Sequence, residues 1–265
     1  MILKGKTAVI HGGSGAIGSA IAGTFLREGA KVYLVGRNPD RLASAAERLR
    51  NGGGVVETAA VDVLDDTAVA SHAASVAKAE GGIDIAVNAT SFMHDQGSLI
   101  DTLSLADFME PIDRFLRSLF NTAKAVTPHM GGERGGVILS LTAPAGRMML
   151  AGHMGHVVSC AGIESLTRCL AADLGPRNIR AVCIRPHGIS DAPEAGSYTG
   201  HLFYRKTREM GITLDQFMTG MADTTLLNRL PTLTEVAETA LFLASPAART
   251  MTGTTVNLTA GATMD

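Results

Sequence analysis

Short apolar runs rich in β-branched residues alternate along the chain with alanine- and leucine-rich stretches whose apolar positions recur at helical spacing. The runs predict strands at residues 7–11, 31–35, 55–61, 83–88, 136–141, 179–184 and 254–258. The stretches between them predict helices at residues 16–28, 39–50, 66–79, 105–130, 152–174 and 234–243. Strands that alternate with helices pair in parallel, so we expect an α/β fold with one doubly wound, seven-stranded parallel sheet covered by helices on both faces.

Two helix starts are predicted from their capping residues. Asp66 and Thr234 stand where N-caps belong, because their side-chain oxygens can accept from free N–H groups of the first turn. Residue 237 is alanine, so Thr234 is expected to cap without a complete capping box.

The alternation stops between Pro186 and Pro231, in a segment with many glycine, threonine and methionine residues. Ligands of open α/β sheets bind beyond the carboxyl ends of the strands, where insertions can cover them. We therefore expect a single domain of residues 1–265 with a substrate lid at about residues 186–231.

Composition narrows the class of protein. The chain has 265 residues, is 46% hydrophobic and carries a formal net charge of −2, which gives no field to attract nucleic acid or an anionic membrane. Its three cysteines suit no disulfide framework, and the N-terminal residues enter a strand without a charged and then apolar leader. We expect a cytoplasmic protein with a small-molecule substrate, without nucleic-acid or membrane partners and without a metal.

A glycine-rich turn follows the first predicted strand, with the sequence His-Gly-Gly-Ser-Gly-Ala-Ile-Gly at residues 11–18. Glycines let the backbone turn tightly and approach a pyrophosphate, whose charge is favoured at the N-terminus of the next helix. The expected cofactor contacts here are Gly12, Ser14, Gly15, Ala16, Ile17 and Gly18.

The residues after the second strand predict which dinucleotide binds. NAD-binding folds place an acid there for the ribose 2′-hydroxyl, but this chain has Arg37 and Asn38. A guanidinium can hold a 2′-phosphate in bidentate fashion, so NADP is expected rather than NAD. A solvated turn arginine is the alternative.

Together these motifs resemble the short-chain dehydrogenase/reductase family over nearly the whole chain. The family's glycine motif corresponds to residues 11–18, its Asp-Val pair to Asp62 and Val63, its Asn-Asn-Ala-Gly to Asn88, Ala89 and the next two residues, and its Pro-Gly to Pro186 and His187. The resemblance implies a Rossmann-type fold, further cofactor contacts at Asp62, Val63, Asn88, Ala89 and Pro186, and a homodimer or homotetramer built on helices 105–130 and 152–174.

The resemblance also shows that the residues expected to do the chemistry are replaced. In this family a tyrosine is the general acid or base, and a lysine four residues later lowers the pKa of that tyrosine. A serine binds the substrate oxygen, and an asparagine holds a water molecule of the proton relay. The alignment puts His156 at the tyrosine, Cys160 at the lysine, Ala143 at the serine and Phe115 at the asparagine. Thr142, beside Ala143, could substitute for the missing serine as the donor to the substrate oxygen. The implied activity is an oxidoreductase acting on a small carbonyl or alcohol with an atypical active site, and generic carbonyl reduction should be very slow.

The roles of His156 and Cys160 stay open at this point. An imidazole has an ordinary pKa near 6.5 and could exchange protons near neutrality without the lysine. A thiol four residues away on the same helical face could instead become a thiolate nucleophile, or join His153 and His156 in a zinc site. Cys160 could also be a small buried residue and His156 inert. The rivals to an oxidoreductase are a catalytically inactive dinucleotide sensor and a non-redox acid/base enzyme using His156.

Overall fold

The computed structural model describes residues 1–51, 53–197 and 200–265, so two positions of the predicted lid lie outside the described residues. Within those ranges, seven parallel strands form one sheet in the order β3-β2-β1-β4-β5-β6-β7, which confirms the predicted fold class. The strands are β1 Thr7–His11, β2 Lys31–Gly36, β3 Val56–Ala60, β4 Ile85–Asn88, β5 Gly136–Leu141, β6 Ile179–Pro186 and β7 Thr255–Leu258.

Eight α-helices connect and flank these strands in the described part of the chain. They are α1 Ala16–Arg27, α2 Pro39–Arg50, α3 Asp66–Glu80, α4 Leu105–Val126, α5 Met154–Leu174, α6 Gly200–Met210, α7 Leu214–Asp223 and α8 Leu233–Ala244. Side chains of α1, α2 and α8 pack on one face of the sheet, and those of α3, α4 and α5 pack on the other. None of the helices in these ranges is long and apolar enough to cross a membrane.

The strands are buried because successive residues face the two helix layers in turn. Val9 and Ile10 are adjacent in β1 and each is fully buried, but Val9 contacts the α3–α5 side while Ile10 contacts the α1, α2 and α8 side. Full burial of such a side chain stabilises the fold by about 1.5–3 kcal/mol. This explains why the strand sequences are continuously apolar instead of alternating.

Two predicted N-caps are wrong, and the capping contacts show which residues act instead. Helix α3 is capped by Asp65, whose Oδ1 accepts from the N–H of Ala68 at 2.9 Å, so Asp66 is already helical. Helix α8 is capped by Thr232 rather than Thr234. It therefore has a complete capping box, whereas none was expected at Thr234. The Thr232 hydroxyl accepts from the Glu235 N–H at 3.2 Å, and the Glu235 carboxylate accepts from the Thr232 N–H at 2.9 Å. The helix predicted at residues 105–130 ends at Val126.

The segment predicted as a lid contains more regular structure than its composition indicated. Helices α6 and α7 both fall within it, and no helix was predicted there. Thr213 and Gln216 form a capping box at the start of α7, a local signal that the sequence carries.

The sheet order places a ligand crevice between β1 and β4. Strand β1 pairs with β2 on one side and with β4 on the other, and His11 lies opposite Asn88 at their carboxyl ends. The connections leave these two strands in opposite directions, which makes this the topological switch point where open α/β sheets bind ligands.

Candidate active site

The turn after β1 fits the backbone approach that a dinucleotide needs. Gly12 has φ +78°, and a Cβ there would lie 2.4 Å from the carbonyl oxygen of Ala89. A Cβ on Gly18 would lie 2.3 Å from the carbonyl oxygen of Gly12. Only glycine fits these two positions, so the turn holds β1, the residue after β4 and the start of α1 close together.

The N-terminus of α1 is open to an anion. Gly15 is the N-cap, it offers no side-chain oxygen to the first turn, and that turn contains no acidic residue. Ala16 and Ile17 pack towards the core behind it, while Ser14 is half-buried in the turn. The unpaired N–H groups and the helix dipole can therefore act on a phosphate, as the glycine motif predicts.

Arg37 and Asn38 follow β2 and are both exposed. The Asn38 side chain accepts from the Arg41 N–H at 2.9 Å and caps α2, which accounts for this residue without a cofactor. In the part of the chain that is described, the Arg37 guanidinium makes no ion pair, and its contact with a 2′-phosphate stays a prediction.

The next predicted contacts lie at the ends of β3 and β4. Asp62 accepts from the Leu64 N–H at 3.0 Å, and the carbonyl oxygen of buried Val63 accepts from Asn121 of α4 at 3.0 Å. The Ala89 N–H donates to the carbonyl of His11 at 2.9 Å, and buried Pro186 ends β6. These residues border the crevice, and their contact with a cofactor stays a prediction.

Asn88 has its amide satisfied within the protein. Its Nδ2 donates to the hydroxyl oxygens of Thr122 at 3.0 Å and Ser118 at 3.4 Å, and its Oδ1 accepts from Thr90 at 2.9 Å. This network joins the end of β4 to the middle of α4, so Asn88 has a structural role in addition to its predicted contact with the cofactor.

His156 lies in the first turns of α5 and is stacked on a second histidine. Its ring is 4.8 Å from that of His94 with an interplanar angle of 16°, and Cys160 Sγ lies 3.7 Å from its Nε2. Burial, followed by the neighbouring His94, His153 and Lys206, lowers the pKa of His156 to about 3. The expectation that His156 titrates near neutrality is therefore wrong, and it is a neutral imidazole at pH 7.

Cys160 does not have the surroundings of a reactive thiolate. Its side chain is 3% exposed, and burial raises the pKa of the thiol. The Thr142 hydroxyl donates its proton to the Cys160 carbonyl oxygen in a hydrogen bond of 3.1 Å. The geometry favours a structural role for Cys160, and Thr142 reaches a substrate oxygen only by breaking this bond.

His94 was missed by the sequence analysis although it lies at the centre of the cluster. It is 6% exposed, its Nδ1 donates to the Phe92 carbonyl at 2.8 Å, and its Nε2 faces Gln96 Nε2 at 3.0 Å. Phe115 packs edge-on against His94 with 5.8 Å between the rings, where the family has its asparagine. The available signal was its position six residues after a strand that ends at the crevice.

A lysine from the predicted lid also reaches this cluster. Lys206 Nζ of α6 lies 2.6 Å from His153 Nε2, while His153 Nδ1 donates to the Ala151 carbonyl at 2.7 Å. The Gly97 N–H donates to the Gly152 carbonyl at 2.7 Å and joins the loop after β4 to the start of α5. Three segments distant in sequence thus meet around His156.

A metal site, His187 and a second groove are the other candidate parts of the site. Over the described ranges, no three histidine, cysteine or acidic side chains are placed to hold a metal ion together, and the zinc alternative for His153, His156 and Cys160 is not supported. His187 Nδ1 accepts from the Gly188 N–H at 2.7 Å, and its buried Nε2 finds no hydrogen-bond partner among the described residues. A separate groove of about 800 Å³ between α8 and β7 contains none of these residues.

Comparison with known sequences identifies the family. A family model described as enoyl-(acyl carrier protein) reductase matches residues 13–263. The uncharacterised oxidoreductase YxbG of Bacillus subtilis is 32% identical over 260 residues, which cover 98% of this chain and 91% of that protein. The 3-oxoacyl-(acyl-carrier-protein) reductase FabG of Chlamydia pneumoniae is 31% identical over 261 residues, which cover 98% of both proteins.

Solved structures share the same fold along almost the entire chain. The NAD+-bound xylitol dehydrogenase superposes with a TM-score of 0.87 at 22% identity, covering 98% of this chain and 100% of that one. A short-chain dehydrogenase/reductase from Serratia marcescens gives a TM-score of 0.82 at 25% identity, covering 98% and 99%. With the family model, the sequence relatives and the glycine turn in agreement, this chain belongs to the short-chain dehydrogenase/reductase family.

Proposed function

We propose that this protein is an NADP(H)-dependent oxidoreductase that acts on a small carbonyl or alcohol, with His156 in the place of the family's tyrosine. The main observation in support is that one crevice extends from the predicted phosphate site to the histidine cluster. The open N-terminus of α1 lies at the carboxyl end of β1, and the His94–His156 stack lies beyond β4 and β5, the next strands of the sheet. A bound nicotinamide dinucleotide would supply or accept the hydride.

The residues of the chain have defined tasks in this proposal. A neutral His156 donates a hydrogen bond to the substrate oxygen, which polarises a carbonyl without requiring an imidazolium. His94, itself packed against Phe115, fixes the plane of the His156 ring and excludes water from one side of it. The chain provides no lysine four residues after His156, so proton delivery is expected to limit turnover.

Preference for NADP(H) is proposed because Arg37 is exposed, unpaired in the described ranges and placed after β2. Charge-assisted hydrogen bonds to a phosphate contribute about 1.5–3 kcal/mol, so Arg37→Ala should weaken NADPH binding roughly ten- to hundredfold and leave NADH binding little changed. Calorimetric titration of both cofactors against both proteins tests this. Equal affinities of the wild-type protein for NADPH and NADH would contradict it.

An inactive dinucleotide sensor is the second candidate, and the low pKa of His156 is what favours it. A buried neutral imidazole beside a buried thiol is a poor proton donor. Tight NADPH binding without oxidation of NADPH by any of a panel of ketones, oxo acids and quinones would support the sensor.

Location and assembly belong to the same proposal. All three cysteines are free thiols, which suits a reducing cytoplasm. Apolar side chains are exposed on both helices expected at the interface, Phe120 on α4 and Val158 on α5, which supports a homodimer or homotetramer.

A further inference from the structure

Lys206 occupies an unusual position for a lysine. It is half-buried, its Nζ contacts a histidine, and no carboxylate within the described ranges lies at ion-pair distance from it. The histidine accepts through Nε2, because its Nδ1 already donates to the Ala151 carbonyl. One of the three ammonium donors is therefore used, and the others remain available to a ligand.

The surroundings of Lys206 favour a negative ligand. Helix α6 carries Arg205, Lys206 and Arg208 against a single acid, Glu209. Two acids lie near the histidines, and both are engaged: Asp95 accepts from the N–H and hydroxyl of Ser98 at 3.3 and 2.9 Å, and Glu110 pairs with Arg114 at 3.1 Å. Burial lowers the pKa of Lys206, and a bound anion would offset this effect by stabilising the ammonium.

The distance to His156 limits the size of the ligand. His153 and His156 are three residues apart at the start of α5, a separation of about 5 Å along a helix axis. A group held by Lys206 beside His153 would thus lie only a few bonds from an oxygen held by His156.

We propose that Lys206, positioned by its hydrogen bond to His153, binds a carboxylate or phosphate of the substrate, so that the substrate is a small oxo acid, hydroxy acid or phosphate ester. The proposal rests on the proposed function only in taking the cleft at His156 as the substrate site. The cation that the family supplies from α5 is replaced in this chain by one from α6, and its task is to bind substrate charge.

Calorimetric titration without turnover tests the site. The probes are 4-oxo-4-phenylbutanoate, its neutral primary amide and phenacyl phosphate, with and without NADP+, which cannot reduce them. We expect wild-type protein to bind at least one of the two anions roughly tenfold or more tightly than the amide, because the contact is a charge-assisted hydrogen bond. The carboxylate and phosphate arms distinguish the two anion classes.

Matched variants distinguish anion binding at Lys206 from a general effect of the positive charge of α6. Lys206→Gln should remove the preference for the anion and leave amide binding unchanged, while Lys206→Arg should keep it. Arg208→Gln removes the same charge from an exposed position of α6 and should change anion binding by no more than about twofold. Thermal melting of each variant checks folding.

Three results would overturn the proposal: equal binding of anion and amide by the wild-type protein, no binding of either anion, or equal losses in the Lys206→Gln and Arg208→Gln variants. Because these titrations need no hydride transfer, a protein that binds the anions but never oxidises NADPH would contradict the proposed oxidoreductase function alone. A protein that reduces neutral ketones but shows no anion preference would contradict the anion site alone.

Discussion

The pKa of His156 is determined by its surroundings more than by its residue type. A free imidazole titrates near pH 6.5, but burial against the His94 ring and the cationic Lys206 lowers the pKa of His156 to about 3. The sequence identifies the position through the family alignment and cannot identify His94, because the stack joins residues 62 positions apart.

Turnover should depend on His156 and not on Cys160. We expect His156→Phe to lower kcat/KM for any substrate found by roughly a hundredfold, since it removes the hydrogen bond to the substrate oxygen. Cys160→Ala should retain activity within about threefold, because its buried thiol stays protonated. Steady-state kinetics at saturating cofactor, with both variants checked by thermal melting, measure the difference. A Cys160→Ala enzyme that alone loses turnover would restore the thiolate hypothesis.

The pH profile provides an independent check on the same residue. A group with a folded pKa of about 3 is already neutral at pH 5, so His156 should produce no inflection in kcat/KM between pH 5 and pH 8. Profiles of the wild-type enzyme across this range measure it. An inflection near pH 6.5 that is absent from His156→Phe would show that the ring titrates in the free enzyme and would contradict the neutral imidazole.

Among the elements, a single carboxylate fixes the start of β1 to the start of β4. Asp84 is 4% exposed and accepts from the Thr7 N–H at 2.9 Å, Lys6 Nζ at 2.9 Å and Arg134 Nη2 at 2.6 Å. Burial alone would raise the pKa of Asp84, but hydrogen bonds from Arg134, Thr7 and Lys6 hold it below its usual value. The residue therefore stabilises the folded state as a carboxylate.

Replacing this carboxylate should lower stability in a pH-dependent way. We expect Asp84→Asn to cost about 2–3 kcal/mol at pH 7, since it loses hydrogen bonds to charged donors. A pKa that is depressed by folding contributes stability above the unfolded value near 3.9 and loses it as the pH falls through the folded pKa. The gap between Asp84→Asn and wild type should thus be complete at pH 7 and shrink below about pH 4.

Urea unfolding at several pH values measures this gap. Asp173→Asn is the matched control, because Asp173 is exposed on α5 and has no ion pair in the described ranges. A control that loses as much stability as Asp84→Asn would assign the effect to net charge instead.

Elements were predicted from sequence more reliably than their ends or their contacts. All seven strands and six of the helices follow from apolar periodicity, because a sheet covered on both faces demands continuous apolar runs. The caps were misplaced by one or two residues, since Asp65 and Asp66 are equally suitable by type and only the hydrogen bond distinguishes them. Helix α6 was missed because its charged sequence lacks a broad apolar face, and Lys206 was missed with it.

At the scale of the whole molecule, the fold brings together three chain segments whose sequences do not indicate that they lie close to one another. The loop after β4, the start of α5 and helix α6 meet at His94, His156 and Lys206. The glycine turn after β1 could be predicted because its glycines lie close together in the sequence, within residues 12–18, and act through local backbone geometry. The arrangement around His156 could not be predicted, since the contacts of each side chain there depend on the tertiary structure.

Assembly through α4 and α5 is the remaining prediction for the whole molecule. Helices α4 and α5 pack side by side and leave Phe120 50% exposed and Val158 41% exposed, an apolar surface that a second subunit would cover. Phe120→Glu should place a charge in that contact and reduce the mass measured by light scattering, because an unpaired buried charge opposes association by several kcal/mol. Val55→Glu makes the same change at an exposed position before β3 and should leave the mass unchanged. If the wild-type protein is a monomer, or if the Phe120→Glu protein keeps the wild-type mass, these helices do not form the interface.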